Sequence, residues 1–144
     1  MAYTIESRYI DNHITDTGIP VVKSDQKLIE RGKYLLKSDR VLWQLTLRGD
    51  LSRRQIAHLL EVPPGTVSRR IRRIARRLHH PITIALLEEK SKLPADHRML
   101  AIEHFVQGQS VRQLADLHRI SRAHVQSVIG FVKGWHEGRS APRE

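Results

Sequence analysis

SRRQIAHLLEVPPGTVSRRIRRIARRL spans residues 52–78 and reads as two helices separated by a turn. Ser52 and Gln55 have the spacing of a capping box, in which the serine hydroxyl accepts a backbone N–H and the glutamine reaches back to the cap. Ile56, Leu59 and Leu60 supply the apolar face of the first helix. Glu61-Val62-Pro63 makes a tight connection, because Pro63 cannot continue a helix interior and Pro64 suits a first helical position. In the second helix Val67, Ile71, Ile74 and Leu78 recur at spacings of four, three and four, which makes one buried stripe. Arg69, Arg72, Arg73 and Arg76 occupy the other side, flanked by Arg70 and Arg77.

The same string returns 58 positions later. Ser52 falls on Ser110, Arg54 on Arg112, Gln55 on Gln113, Ile56 on Leu114 and Ala57 on Ala115. Leu59 falls on Leu117, Val62 on Ile120 and Val67 on Val125. Small residues at 57 and 115 let two helices cross closely, while Val62 and Ile120 plug the turn into the core. This is the packing logic of a helix-turn-helix, with the second helix left exposed for a major groove. Two copies in register carry more weight than one, since many helical hairpins look alike.

Around these copies the pattern stays helical. Ser24 is expected to cap a helix carrying Leu28, Ile29, Leu35 and Leu36, and Ser38 the next, with Val41, Leu42, Trp43 and Leu45 facing inward. Gly49-Asp50 ends that helix. Pro81 starts a short linking helix, Leu93-Pro94 opens one carrying Met99, Leu100, Ile102 and Phe105, and Ser121 caps the last. The expected fold is all-α, with tandem helix-turn-helix units joined by a short helical linker. Its parts are an N-terminal arm over 1–23 that is partly disordered, a first unit over 24–80, a linker helix over 81–92, a second unit over 93–136 and a disordered tail over 137–144. Within the arm, Tyr3-Thr4-Ile5 and Tyr9-Ile10 have the composition of short strands, and Gly18 and Pro20 interrupt any pattern after them.

Residues 41–78, VLWQLTLRGDLSRRQIAHLLEVPPGTVSRRIRRIARRL, resemble region 4 of bacterial sigma factors. The pieces that carry the resemblance are LSRRQIAHLLEV, PGTVSRR and the arginine-rich continuation. It covers about a quarter of the chain. Glu61 stands where that family usually has glycine, and Pro63 where it usually has a serine cap. The resemblance implies promoter-type recognition of DNA, with the second helix in the major groove. Nothing in the chain resembles the sigma region that melts DNA and clamps polymerase. The second unit, 93–135, is similar to the helix-turn-helix superfamily only in general form.

Composition agrees with a polyanion as partner. The 144 residues carry 25 lysines and arginines against 15 acids, a formal charge of +10, and arginine greatly outnumbers lysine. Between Arg40 and Leu78 ten arginines face two acids, Asp50 and Glu61, a balance of +8. Between Leu93 and His136 the balance is +2, from four arginines and Lys133 against Asp96, Glu103 and Asp116. Six arginines between Arg69 and Arg77, with no acid among them, repel one another unless an anion relieves them. At 40% hydrophobic and 28% charged the chain is neither a disordered nor a membrane composition, and no secretory leader or membrane partner is expected. The lack of cysteine excludes disulfides and thiolate catalysis. A cytoplasmic, nucleoid-associated protein is the expectation.

In a groove-docked helix, base edges are reached from the solvent-facing positions of the first two turns. Those are Pro64, Gly65, Ser68, Arg69 and Arg72 in the first unit, and Arg122, Ala123, Gln126 and Ser127 in the second. Arg69 and Arg72 suit bidentate contacts with guanine, Gln126 suits adenine, and Arg122 suits guanine or phosphate. Arg53, Arg54, Arg70, Arg73, Arg76 and Arg112 are expected on phosphates, which set register without reading sequence. The nine histidines show no tight ligand spacing with a carboxylate, so no metal and no cofactor is expected, and Trp43 and Trp135 read as core anchors. The scattered acids leave no carboxylate-metal centre, so no catalytic residue is assigned and an enzyme is not expected.

These features together point to a sequence-specific regulator of transcription on double-stranded DNA. The units would engage successive groove faces if the linker set them about 34 Å apart. The alternative is an adaptor, in which the first unit tethers DNA and the second contacts RNA polymerase or another regulator. A homodimer is compatible with either.

Overall fold

A computed structural model describes residues 26–88 and 92–140, and all regular structure among them is helical. The fold is all-α. The chain divides into two compact units, one ending at His79 and the other beginning at His80. The arm over 1–23, the Ser24 cap, residues 89–91 of the expected linker and residues 141–144 of the expected tail lie outside the described residues.

The first unit contains α1 (Gln26–Gly32), α2 (Lys37–Arg48), α3 (Arg53–Leu60) and α4 (Pro64–His79). The stripe on α4 is buried as its spacing requires: Val67, Ile71, Ile74 and Leu78 are at most 1% exposed, joined by Ala75. Buried with it are Leu28 and Leu35, Leu42 and Trp43 of α2, and Ile56 and Ala57 of α3. Trp43 is admitted by a missing side chain, since a Cβ on Gly32 would stand 2.7 Å from its ring Cδ1. Arg31 is buried too, and its Nη1 donates to the Leu78 carbonyl at 3.2 Å. That bond satisfies one of the orphan carbonyls at the end of α4 and sets a cation at the negative end of its dipole.

Some local expectations change. Helix α2 begins at Lys37 after an extended Leu36, with no side-chain cap, so Ser38 lies inside it. Val41, expected to face inward, is 39% exposed. Leu59 and its counterpart Leu117 are 59% and 58% exposed. On α3 the buried face centres on Ile56 and Ala57, with Leu60 half-buried, which leaves Leu59 beyond its edge.

The second unit contains α5 (Pro81–Glu88), α6 (Ala95–Ala101), a π-helical turn (Ile102–Val106), α7 (Val111–His118) and α8 (Arg122–Ser140). Helix α5, expected as a linker, is part of this unit's core. Its Ile82 and Leu86 are buried in one cluster with Leu100, Leu114, Val125, Ile129 and Val132, and Phe105, Ile120 and Trp135 pack around it. The Arg98 Nη2 donates to the Leu86 carbonyl at 3.0 Å near the end of α5. Residues 137–140, expected in a disordered tail, continue α8.

Both capping boxes form. Ser52 Oγ accepts from the Gln55 N–H at 3.1 Å while the Ser52 N–H donates to Gln55 Oε1 at 2.7 Å. Ser110 and Gln113 repeat this at 3.1 and 2.8 Å. Each capped helix then stops at a left-handed residue, Glu61 with φ 56° and Arg119 with φ 55°. The next N–H turns back to the small residue of the helix: Val62 to the Ala57 carbonyl at 3.0 Å, and Ile120 to the Ala115 carbonyl at 3.1 Å. The following helices open at Pro64 and Arg122, again 58 apart.

The copies differ just before the boxes. In the π turn the Gln107 N–H reaches the Ile102 carbonyl, five residues back, at 3.1 Å. The helix therefore takes in one more residue and the loop gives one up. Its left-handed glycine is Gly108, whereas a shift of 58 from Gly49 would put it at 107. The buried face is re-phased, so that Ile102 and Val106 point inward at positions equivalent to the exposed Gln44 and Arg48.

Candidate nucleic-acid interface

Helix α4 presents two faces of opposite chemistry. Opposite its apolar stripe, Pro64, Gly65, Arg69, Arg72, Arg73 and Arg76 are exposed. The six arginines of 69–77 are sorted by a single acid from α2. Asp39 takes Arg70 Nη2 on Oδ1 at 2.9 Å and Arg77 Nη2 on Oδ2 at 3.1 Å, and all three side chains are half-buried. Arg70, expected on a phosphate, is thus turned toward α2. Burial holds the Arg77 guanidinium below its ordinary value, and Asp39 opposes that shift. What remains outward is a run of cations along one face: Arg69, Arg72, Arg73 and Arg76.

Arg53, the first residue of α3, adds to this face. Its Nε is buried without a hydrogen-bond partner. Burial, and then the charge of Arg72, lower its pKa. The two guanidiniums repel each other across α3 and α4, which adds to the positive charge of this face. Arg54 is exposed.

The smaller side chains at the start of α4 are committed locally. Ser68 is half-buried and its Oγ donates to the Pro64 carbonyl at 3.1 Å. Arg69 leans toward the helix start, where its Nη2 donates to Thr66 Oγ1 at 3.3 Å.

In the second unit Arg122, Ala123, Gln126 and Ser127 are all exposed on the first two turns of α8, and Arg112 is exposed on α7. Beyond them the outward side of α8 changes character. Gly130, Gly134 and Gly138 face open space, and Phe131 is 53% exposed with its ring edge-on to His97 at 5.2 Å. Trp135, half-buried, carries the Arg139 guanidinium over its ring at 5.0 Å.

Several histidines are tied into the scaffold. His118 Nε2 lies 2.7 Å from Glu103 Oε1, and His104 Nδ1 lies 2.8 Å from the Gln109 carbonyl. Burial and then the charge of Arg31 drive the His79 imidazole down to about 2, so it is neutral at any ordinary pH. His80 is lowered by burial and by His136. Among the described residues no group of three or more histidines and acids is placed to hold a metal ion, and no helix is long and apolar enough to cross a membrane.

All the residues expected to touch DNA thus lie outward on their helices except Arg70, together with the half-buried Ser68 and Arg53. Asp39 and Thr66, which hold Arg70 and Arg69, carried no sequence assignment. Asp39 lies 31 positions from Arg70, and nothing local in the sequence pairs them. Comparison with family models, with curated proteins and with solved structures returns no match for this chain.

Proposed function

We propose that the chain is a sequence-specific double-stranded DNA-binding regulator of transcription, which lays α4, and α8 of the second unit, in the major groove. The observation that carries this reading is the outward run of Arg69, Arg72, Arg73 and Arg76 on a helix whose other face is fully buried. A helix fits the major groove of B-DNA, and guanidiniums at its start meet the O6 and N7 acceptors of guanine. Arg53, Arg54, Arg73 and Arg76 would neutralise phosphates, giving affinity that falls steeply with salt. The resemblance of residues 41–78 to sigma region 4 supports the same placement, and a nucleoid location in the cytoplasm would follow from it.

One observation favours the adaptor reading for the second unit. Where α4 has Arg72 and Arg73, α8 has Gly130 and an exposed Phe131. Such a surface suits another protein, RNA polymerase or a second regulator, better than phosphate.

The test is selection from a random duplex pool, with fluorescence anisotropy at two salt concentrations. A motif with two half-sites, kept at the higher salt, is the expected result. Replacing Arg73 and Arg76 with alanine should flatten the salt dependence by about 0.9 in log–log slope for each phosphate no longer neutralised. A single half-site would assign the second unit to protein contact. Binding without any motif, collapsing with salt, would overturn sequence-specific regulation.

A further inference from the structure

The start of α4 holds one arginine in a seat that α8 lacks. A Cβ on Gly65 would stand 3.3 Å from Arg69 Nη1 and 4.0 Å from its Cζ, so the guanidinium lies over the first turn and an added methyl would push its end outward by a few tenths of an ångström. Thr66 Oγ1 accepts from its Nη2 at 3.3 Å. One of the five guanidinium N–H groups is thereby taken up, and the others stay available. The side chain leans this way because helical side chains tilt toward the N-terminus. The resulting place is electrostatically poor for a cation, since it faces the positive end of the helix dipole. A ligand offering two acceptors there would relieve that repulsion.

We infer that Gly65 and Thr66 are positioning residues that fix Arg69 as a reader of one guanine, and that only the first unit has such a reader. The inference rests on the DNA-binding proposal above and names the base. A free arginine loses much rotamer freedom on forming a bidentate contact, and one already held on Thr66 loses less. In α8 the equivalent positions are Ala123, His124 and Ser127. There the Cβ is present and the arginine is absent, so the half-site of the second unit has no matching guanine requirement.

The test uses the full chain and the duplex selected from the random pool, with each guanine in turn replaced by 7-deazaguanine, which lacks the N7 acceptor. For the unaltered protein the guanine read by Arg69 is expected to be among those that matter, its replacement weakening binding between about five- and a hundred-fold, and it is the one whose penalty responds to changes at Gly65 and Thr66. In Gly65→Ala and Thr66→Val that penalty should shrink to within about two-fold, while Thr66→Ser keeps it. Thr66→Val and Thr66→Ser should bind a random-sequence duplex as the parent does at equal salt, because phosphate contacts are untouched. A selected motif bound with no dependence on any N7 overturns this inference and leaves the DNA-binding proposal standing. So does an undiminished penalty in Thr66→Val and Gly65→Ala. Absence of any enriched motif overturns both.

Discussion

His79 should make the first unit acid-sensitive, by an amount set by the uptake of one proton. Its imidazole is lowered from 6.5 to about 2 by burial and by the charge of Arg31, so the folded unit keeps it neutral. In the unfolded chain the same ring protonates near pH 6.5. Below that pH the unfolded state therefore binds a proton that the folded state refuses. The stabilisation is whole above pH 6.5 and is lost as the pH falls from there toward 2, at about 1.4 kcal/mol per pH unit. Between pH 7 and pH 5 the loss integrates to about 2 kcal/mol, and any folded pKa below about 4 gives the same result over that window. The perturbation is His79→Gln, which removes the titrating ring. Urea unfolding read by Trp43 fluorescence, in a Trp135→Phe background, follows the first unit, since Trp43 lies in its core. At a slope of about 1 kcal/mol per molar urea, the midpoint of the parent should drop about 2 M more than that of His79→Gln between the two pH values. Equal drops in both proteins would refute the reasoning.

The other expectations are simpler. Glu61→Gly and Arg119→Gly each relieve a left-handed backbone position and should raise the stability of their own unit by about 1 kcal/mol, measured by urea unfolding. Asp39→Ala breaks two half-buried ion pairs and should lower the stability of the first unit by about 2 kcal/mol. The same change releases Arg70 and Arg77, so affinity for random-sequence duplex at low salt should rise, and a fall in affinity of the folded variant would contradict the sorting role of Asp39. Gly130→Ala and Gly134→Ala meet open space and should stabilise the second unit by up to about 1 kcal/mol each in helix propensity, read through Trp135.

The features legible in the sequence were local ones. The capping boxes at Ser52 and Ser110 depend on residues three apart, and the buried stripe of α4 on spacings within one helix, so both appear in the sequence. The exposure of Leu59 and Leu117 was not legible, because an apolar residue at the edge of a helical face looks like one at its centre. Nor was the re-phasing at Ile102–Val106, since the π turn borrows its residue from the loop and leaves the spacing of 58 unchanged. Helix α5 reads as a connector by its length and its place between the repeats, yet Ile82 and Leu86 are buried among residues more than ten positions distant. For the candidate interface, the helix and its charge were evident. So was its outward set, Arg69, Arg72, Arg73 and Arg76; that Arg70 and Arg77 are held against α2 was not, because that is settled by Asp39 on another helix.

The matched turns also separate what the two copies share from what they do not. Cap, left-handed residue and inward positions agree between the copies, while the exteriors have parted: Arg72, Arg73 and Arg76 against Gly130, Phe131 and Gly134. The shared part lies on the inside of these helices and the divergent part on the outside. The two can accordingly be edited apart, and α8 is open to being given a new vocabulary at 127, 130, 131 and 134 without touching the cap, the turn or the core beneath.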